Sequence, residues 1–420
     1  MEEMIKKHIV IVGAGFGGVT AALKLEWLFK KKRQEYEIIL VDRHHHQLYT
    51  PTLYEIASIP REMNEEEYLK SSILIPISDI IGVRAITFIC DECIGFDVSQ
   101  KTITLRQLGA LSYEFLILAL GSETNYFNIP GLQQYSFSLK TFDDAMKLRN
   151  NIQDAAKTKE GYRIVIGGAG ATGVELAAEF VNFICSIQKQ SSVHTLCNVE
   201  FLLVEAAPDI LSGFDPSIVK KVRTRLERLG VRIKTNSSIS RVSADIMEFR
   251  SGEREQYDIL IWTGGVRGPS LFSACGLPLS AKGSLHVNEY LQIAQNRSNI
   301  YAIGDSCSFV HPVTGKPLAW NVPAAEAEAR HAAVNIARII AAKDPLPFRP
   351  AKKYPFVLAV GSKYAIADLV FARFSGLLGW IIKQLVGLRY LMRILPLSKA
   401  CKIWWRSLTV SRANDVSTNT

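Results

Sequence analysis

The chain opens with a buried apolar run followed by a segment of helical periodicity. Residues Ile9 to Val12 are apolar and β-branched, which is typical of a buried parallel strand. An Ala/Leu-rich helical segment then runs to Leu25, and a second strand is predicted from Glu37 to Val41. The pattern of apolar and polar positions therefore predicts a βαβ unit at the N-terminus.

Three glycines between the first strand and its helix give this unit a candidate chemistry. Gly13, Gly15 and Gly18 have the GxGxxG spacing, and Asp42 follows the second strand. The first glycine permits a tight turn, the second lets a pyrophosphate approach the backbone, and the third lets helix and strand pack closely. An acid in the position of Asp42 is expected to bind a ribose hydroxyl. The unit predicts a dinucleotide site, and a tight turn in an ordinary α/β unit is the alternative.

The strand–glycine–helix pattern returns between Arg163 and Glu179. A strand from Val199 to Val204 then ends at Glu205, and the polar segment 185–198 is predicted to contain a surface insertion. The glycines of this second unit are Gly168, Gly170 and Gly173. Two such units indicate either a duplicated fold or two dinucleotides bound at once. The second interpretation is the more economical, because a nicotinamide and a flavin are the usual pair that must meet.

Further elements are predicted around the two units. Short strands are predicted within residues 79–121, 231–249, 257–262 and 299–303. Helices are predicted at Thr141–Ala156, Pro216–Leu229 and Asn321–Ile340. Asn321 is expected to cap the last of these helices, with Pro323 in its first turn.

Length and charge change this picture at the C-terminus. The 420 residues predict two or three domains, and the 48% apolar composition suits a folded globular chain. The net charge is +9, yet residues 349–420 hold twelve Lys or Arg and two acids. The tail therefore carries +10 and the remaining residues about −1. Nucleic acid would accept such a tail, but no nucleic-acid-binding motif accompanies it, so none is expected as a partner.

The cysteines and histidines argue against a metal site. Seven scattered cysteines indicate free thiols in a reducing compartment. Cys90 and Cys93 form a CxxC in a strand-like run with no second pair, so zinc is not expected and a redox dithiol is a minor alternative. The consecutive histidines 44–46 cannot easily converge on one ion, so we predict a loop or cofactor edge there. The N-terminus shows no signal-peptide pattern.

The tail itself predicts an amphipathic helix. Three basic residues lie outside its apolar stripe, and spanning a bilayer would cost ~2.5–3.5 kcal/mol for each at the centre. Pro396 ends the helix, and a second segment places Trp404 and Trp405 between cations. The stripe comprises Leu377, Ile381, Leu385, Leu388, Met392 and Leu395. Residues 371–406 are therefore expected to bind an anionic membrane surface, and a core helix or homodimer interface with a solvated basic rim is the alternative.

Several motifs together resemble a known family. The two glycine units, the ALGS run ending at Ser122, the WTGGVRG run from Trp262 and the YAIGD run ending at Asp305 resemble the two-dinucleotide-binding flavoproteins. Over residues 5–370 the chain looks most like the type II NADH dehydrogenases, which are single-subunit NADH:quinone oxidoreductases. This narrower resemblance also rests on the PTLYEIA, TGVELAAEF and LAVGSKYAIAD runs. It implies FAD as cofactor, NADH as substrate and a membrane quinone as acceptor.

The resemblance also implies which residues hold each nucleotide. For FAD, Asp42 would bind the ribose, the backbone near Cys93 the adenine, and Asp305 the ribityl end. The full FAD set is Gly13, Gly15, Gly18, Asp42, Arg43, Cys93, Gly121, Gly304, Asp305 and Ala325. The NADH set is Gly168, Gly170, Gly173, Glu205, Gly264 and Gly265. Glu205 would accept from the ribose 2′-hydroxyl, and no Arg lies beside it, which favours NADH over NADPH.

One acid and one departure bear on the acceptor. The resemblance gives Glu175 a catalytic role, facing the flavin and the quinone path from the first turn of the second nucleotide helix. A surface acid at a helix N-terminus is the alternative. The family usually carries Ala-Gln ahead of its quinone-pocket helix, whereas this chain offers Val322-Pro323 or Ala325-Glu326. The quinone site is therefore altered, or the acceptor differs.

The expected fold class is α/β, with two Rossmann-like dinucleotide-binding domains and a C-terminal amphipathic helical region that anchors the chain to a membrane. An FAD domain (1–140 and 285–345) would be split by an NAD(H) domain (141–284), and 346–420 would form the membrane region. We expect a peripheral enzyme on the cytoplasmic side of the cell membrane that passes a hydride from NADH to FAD and two electrons to a quinone. No segment is expected to span a bilayer, so proton pumping is not expected.

Two other functions stay open at this point. One is a soluble NAD(P)H-dependent flavoprotein reductase of a disulfide, dioxygen or an electron-carrier protein. Its disulfide version would need a flavin-side cysteine that the first helix and the following loop lack. A sulfide:quinone oxidoreductase would need cysteines flanking the flavin, and Cys90, Cys93 and Cys307 do not fit plainly. The other is a flavin-containing redox sensor.

Overall fold

The computed structural model describes residues 6–30, 35–61, 65–158, 161–190, 199–293 and 299–413. The helices are α1 (Phe16–Leu28), α2 (Leu53–Ala57), α3 (Glu66–Ile73), α4 (Ile77–Ile81), α5 (Leu132–Tyr135), α6 (Phe142–Thr158), α7 (Ala171–Gln190), α8 (Pro216–Arg228), α9 (Leu271–Ala274), α10 (Val322–Ile340), α11 (Leu377–Ile394) and α12 (Leu397–Ala413). The strands in the first part of the chain are β1 (Lys7–Val12), β2 (Tyr36–Asp42), β3 (His46–Leu48), β4 (Leu74–Pro76), β5 (Ile86–Cys90), β6 (Cys93–Asp97), β7 (Thr102–Leu105), β8 (Gly109–Ser112), β9 (Phe115–Leu118), β10 (Glu123–Thr124), β11 (Tyr162–Gly167) and β12 (Val199–Val204). Those in the second part are β13 (Val231–Lys234), β14 (Ile239–Val242), β15 (Ile246–Phe249), β16 (Arg254–Gln256), β17 (Ile259–Trp262), β18 (Val266–Arg267), β19 (Leu285–His286), β20 (Ile300–Ala302), β21 (Cys307–Ser308), β22 (Phe356–Ala359), β23 (Ala365–Asp368) and β24 (Arg373–Gly376).

The chain divides into two compact units. The first unit comprises Met1–Gln47, Leu74–Glu123 and Val266–Tyr354. The second comprises Leu48–Ile73, Thr124–Gly265 and Pro355–Thr420. Both units are therefore assembled from segments that are distant in sequence, and the four-part division into domains by sequence stays a prediction.

The first unit is built on a five-stranded parallel sheet with the order β20-β9-β1-β2-β5. Numbered along the sheet's own strands, the order is 5-4-1-2-3, so the strand order reverses beside β1, where doubly wound folds bind their ligands. Residues Ile9–Val12 are at most 1% exposed, as expected for a strand in a covered parallel sheet. Helices α1 and α10 pack against each other, and β6-β7-β8 form a separate antiparallel sheet.

The second unit repeats this plan with a four-stranded parallel sheet in the order β13-β12-β11-β17. Its reversal point lies beside β11, the strand that precedes the second glycine turn. An antiparallel sheet, β14-β15-β16, packs with the parallel one around buried residues that include Val165, Leu202 and Phe249. The prediction of an α/β fold with two Rossmann-type sheets is confirmed.

The C-terminal segment of the second unit forms the antiparallel sheet β22-β23-β24, followed by α11 and α12. Helix α11 packs on this sheet, and α12 packs on α11 and α3. Trp404 Nε1 donates to the carbonyl of Gln384 at 2.9 Å, which holds the two tail helices together. Among the described residues, no helix has the length and apolar character needed to cross a membrane.

The amphipathic pattern of the tail is present in α11, with one correction. Its outward face carries the exposed residues Leu377, Leu378, Ile381, Leu385, Val386 and Met392. Leu388 is half-buried, whereas Leu395 was predicted on the same stripe and is buried. Leu395 adopts an extended conformation after the last helical residue, because a residue that precedes proline disfavours the helical region.

The structure gives three local segments in more detail than their sequence patterns do. The strand-like run from Thr87 to Ile94 is two strands, β5 and β6, separated at Asp91, whose carboxylate accepts from the backbone of Gln107 and Leu108. The polar connection 43–58 contains β3, a 3-10 turn and the buried helix α2. The segment 185–198 begins inside α7, which continues to Gln190, and residues 191–198 lie outside the described residues.

Candidate functional site

The first glycine turn joins β1 to α1. Gly13 has a φ of +105°, and a Cβ there would overlap the carbonyl of Ala119; a Cβ on Gly18 would overlap the carbonyl of Gly13. Packing therefore requires glycine at both positions. A Cβ on Gly15, at the N-cap of α1, would meet no atom of the described residues within 4 Å. The turn thus leaves open space in front of a helix N-terminus, which suits a pyrophosphate.

Asp42 ties this turn to the end of β2. Its Oδ2 accepts from the backbone N–H of Ala14 at 2.7 Å, and its Oδ1 accepts from that of His44 at 2.8 Å. Arg43 lies between Asp42 and His44 in the chain, at the same edge of the sheet. Asp42 pairs in register with Cys90 of β5, so Cys93 lies three residues beyond the strand end nearest the acid. The structure therefore brings the glycine turn, Asp42 and Arg43 together.

The CxxC cysteines do not have the environment of a reactive pair. Burial raises the pKa of the Cys93 thiol to about 11 and also raises that of Cys90. Both thiols are free and bind backbone carbonyls, Cys90 that of Arg43 and Cys93 that of Gly95. Because the thiolate is the reactive form, raised pKa values argue against a redox dithiol.

A second group of predicted FAD residues converges at the turn that follows β20. Ser122 donates its hydroxyl to Asp305 Oδ2 at 2.6 Å, next to Gly121. Gly304 has a φ of +62°, and a Cβ there would lie 3.3 Å from the Cβ of Ala325 in α10. Residues near 121, 304 and 325 therefore meet within the first unit.

Helix α10 begins as the sequence predicts, and it adds a buried acid. Asn321 Oδ1 accepts from the N–H of Ala324 at 2.9 Å, so this residue is the N-cap. Glu328, 3% exposed, accepts from the N–H of Gly304 at 2.6 Å and from the thiol of Cys307 at 3.6 Å. Burial raises the pKa of Glu328 to about 8, although the Gly304 N–H opposes the shift. The sequence alone does not single out this residue, because an acid in an Ala/Glu-rich helix gives no sign of its burial.

The second glycine turn has the same construction as the first. Gly168 has a φ of +102°, and a Cβ there would overlap Gly264; a Cβ on Gly173 would overlap the carbonyl of Gly168. A Cβ on Gly170 would meet no described atom within 4 Å, and the first turn of α7 has no acidic side chain. Gly264, a residue of the predicted NADH set, therefore lies against the turn.

Glu205 occupies the position in this unit that Asp42 has in the other. Its Oε2 accepts from the N–H of Ala169 at 2.7 Å, and its Oε1 accepts from that of Ala207 at 2.9 Å. Gly265 follows Gly264 and lies under an aromatic ring, since a Cβ there would be 3.0 Å from Phe127. All six residues of the predicted NADH set lie in the second unit.

A buried acid–base cluster, formed by Tyr54, Glu55, Glu175, Glu179 and Lys383, lies in the second unit. Glu55 of α2 and Lys383 of α11 form an ion pair in which the side chains are only 3% and 12% exposed. The Tyr54 hydroxyl donates to Glu55 Oε1 at 3.3 Å, and Lys383 Nζ lies 5.0 Å from the centre of the Tyr54 ring. A buried pair of this kind needs its partners, because either charge left alone would be strongly destabilising.

Glu175 contributes a carboxyl with a strongly shifted pKa to this cluster. The residue retains some contact with solvent, but protein surrounds its carboxyl group, and Oε1 accepts from the N–H of Ala359 at 3.3 Å. Burial raises its pKa to about 8; Lys383 opposes the shift and Glu55 adds to it. Burial, with Glu55, Glu175 and Glu179, also raises the pKa of Tyr54 well above its usual range.

The position of Glu175 differs from the sequence expectation. It is the fifth residue of α7 and so lies in the second helical turn, not the first. Its raised pKa distinguishes it from an ordinary surface acid at a helix N-terminus. At neutral pH its carboxyl mostly keeps its proton, so it can donate one beside the ammonium of Lys383. In the sequence, Glu55 lies in the PTLYEIA run and Lys383 is one of the three basic residues outside the apolar stripe of the tail. Neither pattern indicates that the two residues pair, because their contact is tertiary.

Comparisons with known proteins agree with two nucleotide turns in one chain. Residues 7–332 match the pyridine nucleotide-disulphide oxidoreductase family. The chain belongs to this family. Among the relatives of this family member is demethylphylloquinone reductase NdbB of Synechocystis, 26% identical over 415 residues and covering 96% of the chain and 95% of the relative. The type II NADH:quinone oxidoreductase NdhA of Mycobacterium tuberculosis is 26% identical over 420 residues, covering 92% and 84%.

Solved structures agree on the fold of this family member. NDH2 from Plasmodium falciparum, determined in complex with NADH, superposes with a TM-score of 0.81 at 18% identity and covers 96% of this chain and 98% of its own. The sulfide:quinone oxidoreductase of Aquifex aeolicus gives 0.73 at 18% identity, covering 98% and 93%. The predicted resemblance to type II NADH dehydrogenases is confirmed by the relatives found.

Proposed function

We propose that this protein is an FAD-dependent NADH:quinone oxidoreductase that works at a membrane surface. The observation that carries the proposal is the presence of two glycine turns of the same construction, one in each unit, each tied by an acid at the end of the neighbouring strand. A chain with two such turns can hold a nicotinamide and a flavin nucleotide together. The quinone is proposed because the similar proteins from Synechocystis and Mycobacterium are named as reductases of quinones.

The residues of the first unit fit FAD. The open space at Gly15 accommodates a pyrophosphate in front of α1, and Asp42 stands ready for a ribose hydroxyl. The N-terminus of α10, which Asn321 caps, is the positive end of the helix dipole. It would stabilise the negative charge that develops on a flavin ring when the ring is reduced. Bound FAD would accept a hydride and release electrons in pairs.

The residues of the second unit fit NADH. Gly170 leaves space for the pyrophosphate in front of α7, and Glu205 presents a carboxylate where the 2′-hydroxyl of adenosine would lie. A 2′-phosphate at this point would face that carboxylate, so we expect NADH to be preferred over NADPH. Because Gly264 has no side chain, the nicotinamide half of NADH can approach the backbone of the turn closely.

The buried acid–base cluster is proposed to supply a proton for quinone reduction. A quinone needs two protons together with two electrons, and a neutral carboxyl is the natural source of one. Glu175 is the proposed donor because its raised pKa keeps it protonated at neutral pH. Lys383, held by Glu55, is the proposed positioning residue that stabilises the carboxylate left behind.

The tail is proposed to bind the anionic cytoplasmic face of the cell membrane. Helix α11 presents its apolar stripe outward, and the tail carries a net charge of +10. Exposed apolar residues beside basic ones suit the interface of an anionic bilayer. A homodimer formed through the same stripe is the alternative, and it would bury these residues without lipid.

Rapid mixing tests the reaction directly. NADH should bleach the visible absorbance of the bound flavin, and a soluble quinone analogue should restore it within seconds. If oxygen, a disulfide or an electron-carrier protein restores the absorbance faster than any quinone, the protein is a soluble reductase. If nothing restores it and the reduced complex persists, the redox-sensor alternative stands instead.

A further inference from the structure

A basic groove of about 420 Å³ lies along helix α8 in the second unit. Two hydroxyl residues, Ser217 and Thr224, line the groove. None of the described residues that line it is acidic. The basic side chains that line it are Lys220, Lys221, Arg225 and Arg228. From Ser217 to Arg228 these positions repeat every three or four residues, so they share one face of the helix over about 16 Å. The opposite face of α8 is apolar and buried.

Some of the groove's charges are fixed in place. Arg225 donates from Nε to the carbonyl of Val360 at 2.9 Å, and its guanidinium lies 4.3 Å from the centre of the Tyr364 ring. In contrast, Lys220 and Arg228 are exposed and have no hydrogen bond or ion pair with any described residue. The groove therefore combines an anchored guanidinium with two cations that have no anionic partner within the described chain.

The groove adjoins the exposed apolar part of the tail. Lys221 Nζ donates to Ser375 of β24 at 3.2 Å, and Arg373 of the same strand bridges Ser217 at 3.0 Å and Asp215 at 2.6 Å. Strand β24 is thus pinned along α8. Just beyond its two ends, Phe371 is 85% exposed and Leu377 is 56% exposed. Basic and apolar surfaces therefore meet at this strand.

We propose that the groove on α8 binds the phosphate headgroup of an anionic phospholipid. Unpaired cations provide the charge that such a headgroup needs, and Thr224 provides a hydroxyl donor, whereas the Ser217 hydroxyl already donates to Asp215. The exposed apolar residues beside β24 provide a place for the attached acyl chains. The inference rests on the proposed membrane association and extends it to a surface outside residues 371–406.

The test compares two double variants that remove equal charge. K220Q/R228Q removes two groove cations, and R241Q/R250Q removes two exposed cations elsewhere in the second unit. Partitioning of the full-length protein is measured on phosphatidylcholine vesicles with and without phosphatidylglycerol. At ~1 kcal/mol for each basic residue at an anionic surface, K220Q/R228Q should lose about 30-fold in partition coefficient. The control pair should lose much less, and circular dichroism should show both variants folded.

Each other result overturns a different statement. An equal loss in both variants means that net charge alone drives binding, and an unchanged partition of K220Q/R228Q refutes the groove. If the wild-type protein ignores anionic vesicles, the proposed membrane association itself fails. In a separate arm, inorganic phosphate is added without vesicles. If phosphate alone stabilises the wild-type protein against heat, but not K220Q/R228Q, while vesicle binding does not distinguish them, the groove serves a soluble phosphate and not a lipid.

Discussion

Replacement of Glu175 by glutamine isolates the titration of the buried acid–base cluster. Burial places the pKa of this carboxyl at about 8, against an ordinary value of 4.5. At pH 7 about ten molecules in eleven therefore keep the proton, and at pH 9 about ten in eleven have lost it. Glutamine has nearly the same shape as the protonated acid, so E175Q should fold normally at neutral pH while being unable to release a proton.

The first consequence concerns stability. The unfolded chain ionises Glu175 near pH 4.5, whereas the folded protein holds the proton until about pH 8. Between these values the folded state binds more protons, so the free energy of unfolding falls as the pH rises, by up to roughly 5 kcal/mol over the whole window. In E175Q this contribution is absent. Urea unfolding midpoints at pH 5 and pH 8 should therefore differ less in E175Q than in the wild-type protein.

The second consequence concerns quinone reduction. If Glu175 donates a proton, the wild-type rate of flavin reoxidation by a quinone analogue should decline above pH 8. E175Q should be ~10²- to 10⁴-fold slower in this half-reaction at pH 7 and should lose the inflection. Bleaching of the flavin by NADH should change little. Lys383→Met should move the inflection to higher pH, because the ammonium lowers the pKa of Glu175, and it should also lower the free energy of unfolding, because Glu55 loses its buried partner.

Stopped-flow mixing resolves the two half-reactions, and Glu227→Gln, an exposed acid of α8, serves as control. The proton-donor role is refuted if E175Q keeps the inflection near pH 8. It is also refuted if a folded E175Q slows neither half-reaction or slows both by the same factor, because a proton donor to the quinone should affect only the reoxidation half-reaction. If E227Q also loses the inflection, the pH dependence comes from the overall charge of the protein and not from Glu175.

Three further predictions follow from other parts of the structure. Glu328→Gln should likewise flatten the decline of the urea midpoint between pH 4.5 and about 8, because its buried carboxyl is also protonated in the fold; an unchanged slope would show that Glu328 ionises freely. Gly170→Ala should fold and keep bound flavin yet weaken NADH in calorimetric titration, since its Cβ enters open space, whereas Gly168→Ala should disrupt the unit; equal effects of the two would contradict the assignment of that space. Replacing both Ile381 and Leu385 by glutamate should release the protein from anionic vesicles in a flotation assay. If the double substitution changes only the sedimentation coefficient, the stripe forms a homodimer interface instead.

The sequence could predict those parts of the site that depend on local rules. The positive φ at Gly13 and Gly168, and the cap at Asn321, follow from residue types at fixed offsets within one turn. The exposed stripe of α11 follows from helical periodicity. The exception, Leu395, was misplaced because the proline after it ends the helix early.

The sequence could not predict the parts that depend on residues far apart in the chain. Glu55 and Lys383 are separated by 328 residues, and neither the loop motif of one nor the basic rim of the other indicates a buried pair. Glu328 lies 24 residues after Gly304, which is beyond the reach of any helical pattern. The raised pKa of Glu175 likewise follows from enclosure by surrounding protein, which no single segment specifies.

A sequence motif identifies the acids at the two nucleotide turns, but it does not distinguish a contact with the ribose from a structural contact within the turn. Asp42 and Glu205 were each assigned to a ribose, yet each carboxylate already accepts two backbone N–H groups that fix its own turn. A carboxylate has about four acceptor positions, so two remain for a ribose hydroxyl. Removing either acid would therefore weaken nucleotide binding even without a ribose contact, because the turn itself would lose two charge-assisted hydrogen bonds. A comparison of Glu205→Gln with Glu205→Ala separates the loss of the turn from the loss of the ribose contact. Glutamine keeps one acceptor oxygen for the turn, whereas alanine keeps none. If the glutamine variant loses the preference for NADH over NADPH, that loss therefore reflects the missing contact with the ribose.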